Sequence, residues 1–211
     1  MSDTYDAILA RLRETYDRTA DDRNERSTSK EPWKVEERAA FLDRIRSEGG
    51  SQMLEIGAGT GQDALFFRDS GLRVTATDLS PRMVEHCRAK GLDARVADFL
   101  NLGLPAGSVD AVYALNCLLH VPNAELNVVL RSIRNVLLPG GLFFLGVYGG
   151  KSEEGPSQWD QLVPPRFFAF RTDDELLAAV SLYFEVIDFH RVPLEEPDFY
   201  FQSLTLRRPT G

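Results

Sequence analysis

The sequence predicts an α/β protein with a mostly parallel sheet covered by helices on both faces. Segments with the pattern of strands alternate with segments of helical periodicity between residues 52 and 147, and glycine, proline or serine marks the turns between them. Such alternation implies parallel strands joined by right-handed crossovers. The chain has 211 residues, 43% hydrophobic and 27% charged, which suits one domain with a sizeable core. We therefore expect a single domain over residues 1–211.

The amino-terminal part predicts two helices before the alternating region. Apolar residues at helical spacing indicate helices over 3–19 and 32–47, and Pro32 suits the first turn of the second helix. Residues 20–30 are polar and without periodicity, so they predict a loop. The pair Gly49-Gly50 then ends the second helix.

The alternating region supplies five strands and three helices. The strands are predicted at 52–56, 72–77, 93–97, 109–114 and 141–147, and the helices at 62–70, 81–90 and 124–137. Ser80 is placed to cap the second of these helices, and Pro139-Gly140-Gly141 forms the turn into the fifth strand.

The last third of the chain has a different character. Residues 148–172 are rich in glycine, proline and aromatic residues and predict a long connection, a feature that is often functional. A helix over 173–182 follows. Strands at 184–190 and 199–207 are separated by two prolines and predict an edge hairpin. The sheet thus has seven strands, of which the last is antiparallel.

Composition excludes several classes of protein. The formal charge of −8, without a basic cluster, argues against a nucleic-acid partner. No apolar stretch approaches the roughly 20 residues that span a bilayer, and the polar amino terminus does not resemble a signal peptide, so we expect no membrane association and a cytoplasmic location. Cys87 and Cys117 fit neither a disulfide framework nor a metal-ligand spacing, and we expect no metal.

Residues 54–63, Leu-Glu-Ile-Gly-Ala-Gly-Thr-Gly-Gln-Asp, carry the strongest functional signal. They predict a strand, a glycine loop and a helix that begins near Gln62. Glycine permits positive φ and close approach of a ligand, and the start of the helix offers free N–H groups. Dinucleotide-binding folds space their glycines G-x-G-x-x-G, whereas Gly57, Gly59 and Gly61 form G-x-G-x-G.

Five landmarks in order resemble the class I S-adenosylmethionine-dependent methyltransferases over about residues 50–207. They are the glycine loop, Thr77-Asp78-Leu79-Ser80-Pro81-Arg82-Met83, Ala97-Asp98-Phe99, Leu115-Asn116-Cys117-Leu118-Leu119-His120-Val121-Pro122, and Pro139-Gly140-Gly141. The resemblance implies a three-layer αβα Rossmann-like fold. It also implies S-adenosyl-L-methionine as cofactor and S-adenosyl-L-homocysteine as product.

The resemblance assigns a group of cofactor-binding residues. Asp78 would accept hydrogen bonds from both ribose hydroxyls, because a carboxylate is a strong acceptor with two oxygens. Asp98 would meet the adenine amino group. The remaining candidates are Glu55, Gly57, Ala58, Gly59 and Gly61 at the glycine loop, Leu79, Met83 and Phe99 around the base, and Asn116 near the methyl group. Each polar candidate also has an ordinary structural interpretation, as a capping, turn or strand-end residue.

The acceptor side is less clearly marked. The substrate-pocket candidates are His120, Tyr148, Tyr16 and Trp159. Each also has a structural alternative, since His120 can belong to the packing of its loop and Tyr148 can simply end the sheet. By the same resemblance, residues 1–48 form a helical cap over the cofactor site. The aromatic residues of 148–172 predict a substrate-side insert, or alternatively anchor this segment in the core. Arg166 or Arg171 would be available to an acidic acceptor.

No catalytic residue is identified, because orientation and desolvation can supply much of the rate of methyl transfer. We expect a methyltransferase that acts on O or N of a small molecule, as a monomer or homodimer. An oxidoreductase would need the longer glycine spacing. A nucleic-acid or protein methyltransferase, and a cofactor-binding protein without catalysis, remain as alternatives.

Overall fold

The computed structural model describes residues 4–26, 31–157, 160–194 and 199–211. The helices are α1 Tyr5–Arg26, α2 Pro32–Ser47, α3 Gln62–Asp69, α4 Pro81–Ala89, α5 Asn123–Val136 and α6 Asp173–Ser181. The strands are β1 Gln52–Ile56, β2 Arg73–Asp78, β3 Asp93–Val96, β4 Val109–Leu115, β5 Leu137–Gly149, β6 Glu153–Pro156, β7 Phe167–Phe170, β8 Glu185–Val192 and β9 Tyr200–Arg207. Among the described helices, none is both long and apolar enough to cross a membrane.

Seven strands form one sheet in the order β3-β2-β1-β4-β5-β9-β8. The first five strands pair in parallel, and β9 is antiparallel to both of its neighbours, β5 and β8. The predicted fold class is thereby confirmed, including the antiparallel last strand and the edge hairpin. Because the strand order changes direction at β1 and β4, the carboxyl ends of these strands open the crevice in which α/β folds bind ligands.

Helices cover both faces of the sheet. The apolar residues of α5 recur at helical spacing and pack with α6 against one face of the central strands. On the other face, Phe41, Leu42 and Ile45 of α2 and Phe67 of α3 enclose the stacked rings of Tyr113 and Phe144. α4 packs beside α3 over β2 and β3. The helix α2 therefore belongs to the layer on the sheet, and of the expected amino-terminal cap α1 alone lies over the carboxyl ends of the strands.

The first helix is longer than the sequence predicted. Residues 20–26 were expected in a loop but continue α1 to Arg26. This part of the helix is held by polar pairs, which leave no apolar periodicity to detect. Asp21 accepts from Arg82 and contacts His86, while Asn24 accepts a hydrogen bond from Lys90.

The segment 148–172 is not structureless, as the sequence had suggested. It contains a separate two-stranded antiparallel sheet, in which β6 pairs with β7. All four residues of β7 are buried, and its side chains pack against α1 and the main core. The aromatic residues of this segment thus anchor it to the body of the protein.

Arg171 fixes this second sheet to the loop after β4. Its side chain is only 5% exposed, and burial lowers its pKa to about 10. It donates hydrogen bonds to Asn123 Oδ1 at 2.8 Å, to the carbonyl oxygen of Val121 at 2.7 Å and to that of Ala169 at 3.2 Å. With all of these bonds inside the fold, Arg171 is a structural residue and not the acceptor-binding arginine that the sequence suggested.

Replacing Arg171 by Met should therefore destabilise the protein. The substitution leaves buried acceptors without donors, at about 1–3 kcal/mol each, and is partly offset by the removal of a buried charge. We expect a net loss of about 2 kcal/mol, or roughly 4–8 °C in the melting temperature by calorimetry. Arg131→Met, at an exposed position of α5, is the matched control. Equal melting temperatures for the two variants would contradict the structural role of Arg171.

Candidate functional site

A cavity of about 610 Å³ lies between α1 and the carboxyl ends of β1, β2 and β4. Ten of the predicted site residues line it together: Tyr16, Gly57, Gly59, Asp78, Leu79, Met83, Asp98, Phe99, Asn116 and His120. Its other lining residues are Leu9, Leu12, Thr19, Asp22, Arg23, Arg26, Thr60, Thr77, Ala97, Leu102, Leu115, Cys117 and Leu162. Residues that are far apart in sequence are thus gathered at the edge where the β1–α3 turn begins.

The glycine loop follows β1, and its three glycines have different surroundings. All have positive φ, at +64° for Gly57, +55° for Gly59 and +85° for Gly61. A Cβ on Gly57 would lie 2.4 Å from Cys117 Cβ, and one on Gly61 would lie 2.7 Å from Leu92 Cδ1. A Cβ on Gly59 would meet no atom within 4 Å. The outer glycines therefore permit packing, while Gly59 leaves its backbone open to the cavity.

Asp78 ends β2 and is only 8% exposed. Its Oδ2 accepts the N–H of Gly59 at 2.8 Å, and its Oδ1 accepts the N–H of Ser80 at 2.9 Å. Burial raises the pKa of this carboxyl to about 6, although the two N–H groups act in the opposite direction. Each oxygen can accept a further hydrogen bond, so a ligand with paired hydroxyl donors suits this position.

The turn after β3 forms the wall beside Asp78. Oδ1 of Asp98 accepts the N–H groups of Leu100 and Asn101, both at 2.8 Å, and so closes the turn. Phe99 and Met83 contribute apolar surface to the same part of the cavity. This wall suits a flat, apolar group with a polar edge.

Asn116 follows β4 with a φ of +54°, a conformation that asparagine tolerates better than most residues. Its backbone N–H donates to Gly146 O at 2.7 Å. Its buried Oδ1 has no hydrogen-bond partner among the described residues, although Asn116 lines the cavity. A buried acceptor without a donor is costly, and a ligand N–H would satisfy it.

His120 is held in one protonation state. Its Nδ1 lies 2.6 Å from the carbonyl oxygen of Phe167, which can only accept, so the ring proton is on Nδ1. Nε2 then accepts a hydrogen bond from the hydroxyl of Tyr16, also at 2.6 Å. Burial lowers the pKa of His120 to about 3, and the imidazole is therefore neutral at physiological pH.

Arg166 fixes Tyr16 from the other side. Its Nη1 donates to the Tyr16 hydroxyl at 3.3 Å. Its Nε and Nη2 each donate to the Asp160 carboxylate at 3.0 Å, and both side chains of this ion pair are largely buried. The charge of Arg166 is thus neutralised within the protein, and this arginine acts on Tyr16 rather than on a ligand.

Among the described residues, four predicted site residues do not line the cavity. Glu55 is buried in β1, Ala58 N–H donates to the carbonyl oxygen of Thr77, and Gly61 faces Leu92 and Cys87. Tyr148 lies against Phe199 and Phe201, with ring centroids 5.7 and 5.6 Å away. Trp159 lies outside the described residues.

Sequence reasoning missed the second half of α1. The lining residues Leu9, Leu12, Tyr16, Thr19, Arg23 and Arg26 follow one another at intervals of 3, 4, 3, 4 and 3, which is one stripe of a helix. The first three members were visible as an apolar pattern. The last three are polar, so the same spacing could have revealed them only if charged residues had been counted as part of the stripe.

The donors of the cavity do not suggest a metal centre. Within the described ranges, no group of three or more His, Cys, Asp or Glu side chains is arranged to hold an ion. The glycine loop, the buried Asp78 and the unsatisfied Asn116 Oδ1 instead fit a nucleoside that carries an amino acid.

Comparison with known proteins agrees with this description. Residues 54–145 match the family model described as a methyltransferase domain. Sterol 24-C-methyltransferase ERG6B of Gibberella zeae is 33% identical over 108 residues, which cover 47% of this chain and 27% of that protein. Malonyl-[acyl-carrier protein] O-methyltransferase of Serratia marcescens is 29% identical over 119 residues, which cover 55% of this chain and 46% of that protein. The chain thus spans less than half the length of these two relatives.

A solved structure shows the same fold along nearly the whole chain. It is the 1,6-didemethyltoxoflavin-N1-methyltransferase of Burkholderia thailandensis with bound 1,6-didemethyltoxoflavin and S-adenosylhomocysteine. The TM-score is 0.78 at 22% identity, and the match covers 99% of this chain and 92% of that one.

Fold and site define an α/β protein with a cavity at the switch point of its sheet, and the residues of this cavity fit an adenosyl cofactor. Residues 54–145 match the methyltransferase-domain family, and the fold of the chain is that of the class I S-adenosylmethionine-dependent methyltransferases. S-adenosylmethionine is the cofactor of this family, as the sequence predicted.

The different surroundings of Gly57 and Gly59 give a testable contrast. Both substitutions to Ala place a side chain at positive φ, at about 1–2 kcal/mol, but Gly57→Ala adds a clash that costs about 1–3 kcal/mol more. We expect the Gly57→Ala melting temperature to lie roughly 4–8 °C below that of Gly59→Ala. Gly59→Ala should in turn lose S-adenosylhomocysteine binding, measured by calorimetry, because its methyl group enters the cavity. Similar melting temperatures would refute the assigned roles.

Proposed function

We propose that the protein transfers a methyl group from S-adenosylmethionine to O or N of a small-molecule acceptor. The cavity beneath α1 carries this proposal, because residues of that helix line it and restrict the space left for an acceptor. A macromolecular substrate needs an open surface, and a nucleic acid also needs clustered cations. The cationic residues among the described lining positions are Arg23 and Arg26, both on α1.

Different residues of the chain bind different parts of the cofactor. Asp78 accepts the ribose hydroxyls, Gly59 exposes its backbone, and Asn116 Oδ1 accepts a donor from the amino acid end. The turn with Asp98 and Phe99 holds the base. When bound, the cofactor supplies an electrophilic methyl group on a sulfonium.

The acceptor side excludes water and orients the nucleophile. Leu9, Leu12 and Leu162 supply apolar surface to the cavity, and His120 remains neutral under Tyr16. An acceptor lone pair must lie about 3–3.5 Å from the methyl carbon and in line with the bond that breaks. Since the His120 lone pair is already occupied by Tyr16, we assign no catalytic base.

The names of the relatives do not decide the acceptor atom. They specify transfer to carbon in the sterol methyltransferase, to oxygen in the malonyl-carrier enzyme and to nitrogen in the toxoflavin enzyme. We retain O or N, since carbon acceptors need a separate means of creating a nucleophile, and the lone pair of His120 already accepts a hydrogen bond from Tyr16.

The direct test is an acceptor screen that measures S-adenosylhomocysteine formation. Small phenols, amines, carboxylic acids and heteroaromatic compounds are supplied in parallel with a tRNA pool and a protein lysate. Turnover with a small molecule, lost in Asp78→Ala, supports the proposal. Turnover with RNA or protein alone supports the macromolecular alternative. Tight binding of S-adenosylhomocysteine without any turnover supports a cofactor-binding protein that lacks catalysis.

Cofactor binding should depend on pH through Asp78. The pKa of about 6 in the free protein means that the carboxylate form is present above pH 6 and is lost as the pH falls through that value. The ionised fraction falls from about 90% at pH 7 to about 10% at pH 5, so we expect the S-adenosylhomocysteine dissociation constant to rise about tenfold. Asp78→Asn should bind weakly and without this dependence. The same pH profile in that variant would exclude Asp78 as the cause.

A further inference from the structure

Leu162 is the one described residue of the segment 148–172 that lines the cavity. It lies in the connection between β6 and β7, two residues after Asp160, whose side chain is only 2% exposed. The other described residues of the segment lie outside the lining, so this half-buried leucine is the point at which the segment reaches the cavity.

The backbone around Leu162 is held by the buried carboxylate of Asp160. Its Oδ1 accepts the N–H of Leu162 at 3.4 Å, and its Oδ2 accepts the N–H of Arg166 at 2.8 Å. The guanidinium of Arg166 donates to the same carboxylate at 3.0 Å. One side chain thus binds both ends of the turn over residues 160–166 and fixes the position of Leu162 within it.

The same turn is bonded to α1. Thr15 Oγ1 donates to the carbonyl oxygen of Pro164 at 2.6 Å, and Arg18 Nη1 donates to that of Val163 at 3.2 Å. Leu162 could leave the cavity only if these contacts were broken together with those of the carboxylate. Its side chain is therefore a fixed part of the cavity wall.

The proposed acceptor side of the cavity consists of Leu9, Leu12, Tyr16, His120 and Leu162. The three leucines are apolar, and His120 is a neutral imidazole. Burial raises the pKa of the Tyr16 hydroxyl, which therefore stays protonated at neutral pH. A charged group placed here would lose its hydration without gaining a counter-ion, which is costly.

We propose that Leu162 determines the acceptor specificity of the protein. It limits the space beside the transferred methyl group, and with its neutral neighbours it selects an uncharged acceptor with an apolar, ring-sized body. This inference rests on the proposed function, since it takes the space beside Leu162 to be that of the acceptor. An apolar pocket discriminates by size, because a group that is too large clashes with its wall and one that is too small leaves a void.

Ring compounds in matched pairs provide the test. Phenol, indole and 2-naphthol are neutral at pH 7, whereas benzoate, indole-3-carboxylate and 2-naphthoate present the same rings with a negative charge. Each is titrated by NMR against the full chain saturated with S-adenosylhomocysteine, so that the cofactor part of the cavity is occupied. At least one neutral compound should bind about tenfold or more tightly than its charged partner, because the charge has no counter-ion on this side.

Matched variants locate the binding. Leu162→Trp fills the space and should weaken the neutral compounds about tenfold or more. Val163→Trp adds the same side chain at the next position, which is 70% exposed and outside the lining, and should change these affinities less than about twofold. Leu162→Met nearly conserves the volume and should stay closer to wild type than Leu162→Trp. In all three variants the affinity for S-adenosylhomocysteine should be unchanged.

A further variant covers the case in which Leu162→Trp does not fold. Leu162→Ala should raise the affinity for 2-naphthol relative to that for phenol about tenfold, because the larger ring can use the added space. Equal effects of Leu162→Trp and Val163→Trp, or an unchanged ratio in Leu162→Ala, would overturn the proposal. So would charged compounds that bind as tightly as their neutral partners, or failure of every neutral compound to bind the wild-type complex.

The outcome is separable from the proposed function, because binding is measured without methyl transfer. If neutral compounds bind in a manner that depends on Leu162 but no acceptor is methylated, then the selectivity of the cavity stands and catalysis fails. If a small molecule is methylated and its kcat/KM is the same in wild type and Leu162→Trp, then catalysis stands and the role of Leu162 is wrong.

Discussion

The site depends on one buried carboxylate. Asp78 joins the end of β2 to the glycine loop through Gly59 N–H and to the start of α4 through Ser80 N–H. Burial opposes its charge and raises its pKa from 3.8 to about 6, which corresponds to roughly 3 kcal/mol against ionisation. Because the folded-state pKa is raised, protonation of Asp78 favours the folded protein as the pH falls towards 4, and the free protein carries this penalty at neutral pH. Hydroxyl donors from a ribose would offset it, so the geometry that orders the loop also favours the ligand.

The part of α1 that lies over this carboxylate is held by polar contacts. Asp17 accepts from Ser80 Oγ and Arg82 N–H, and Asn24 accepts from Lys90, while the hydroxyl of Tyr16 donates to His120. Hydrogen bonds of this kind contribute about 0.5–1.5 kcal/mol each, less in total than the apolar surface that secures the sheet. Local opening free energies are lowest where buried apolar contacts are few. The polar part of α1 is therefore the element of the site with the lowest free energy of opening away from the rest of the protein.

Whether an element could be predicted from the sequence depended on the interactions that hold it in place. The sheet, α3 to α6 and the Gly57 to Asp98 landmarks were predictable, because apolar periodicity and turn residues are local signals. The second half of α1 was not, since Asp21 and Asn24 hold it through partners on α4 and just after it, about 60 residues away. The pairing of β6 with β7 likewise depends on buried aromatic contacts with distant elements. Sequence position also placed Tyr148 near the site, yet its ring packs against Phe199 on the far side of β5 from β4.

The charges around the cavity limit the chemistry that it favours. His120 is neutral and its lone pair accepts from Tyr16, while Arg166 is neutralised by Asp160. Neither residue is left as a strong base or a free cation on the acceptor side. Methyl transfer from a sulfonium disperses a positive charge, so an apolar, water-excluding wall such as Leu9, Leu12 and Leu162 suits it without a base. This balance favours acceptors that already present a lone pair at neutral pH, such as a weakly basic nitrogen or an acidic hydroxyl, over those that must first lose a tightly held proton.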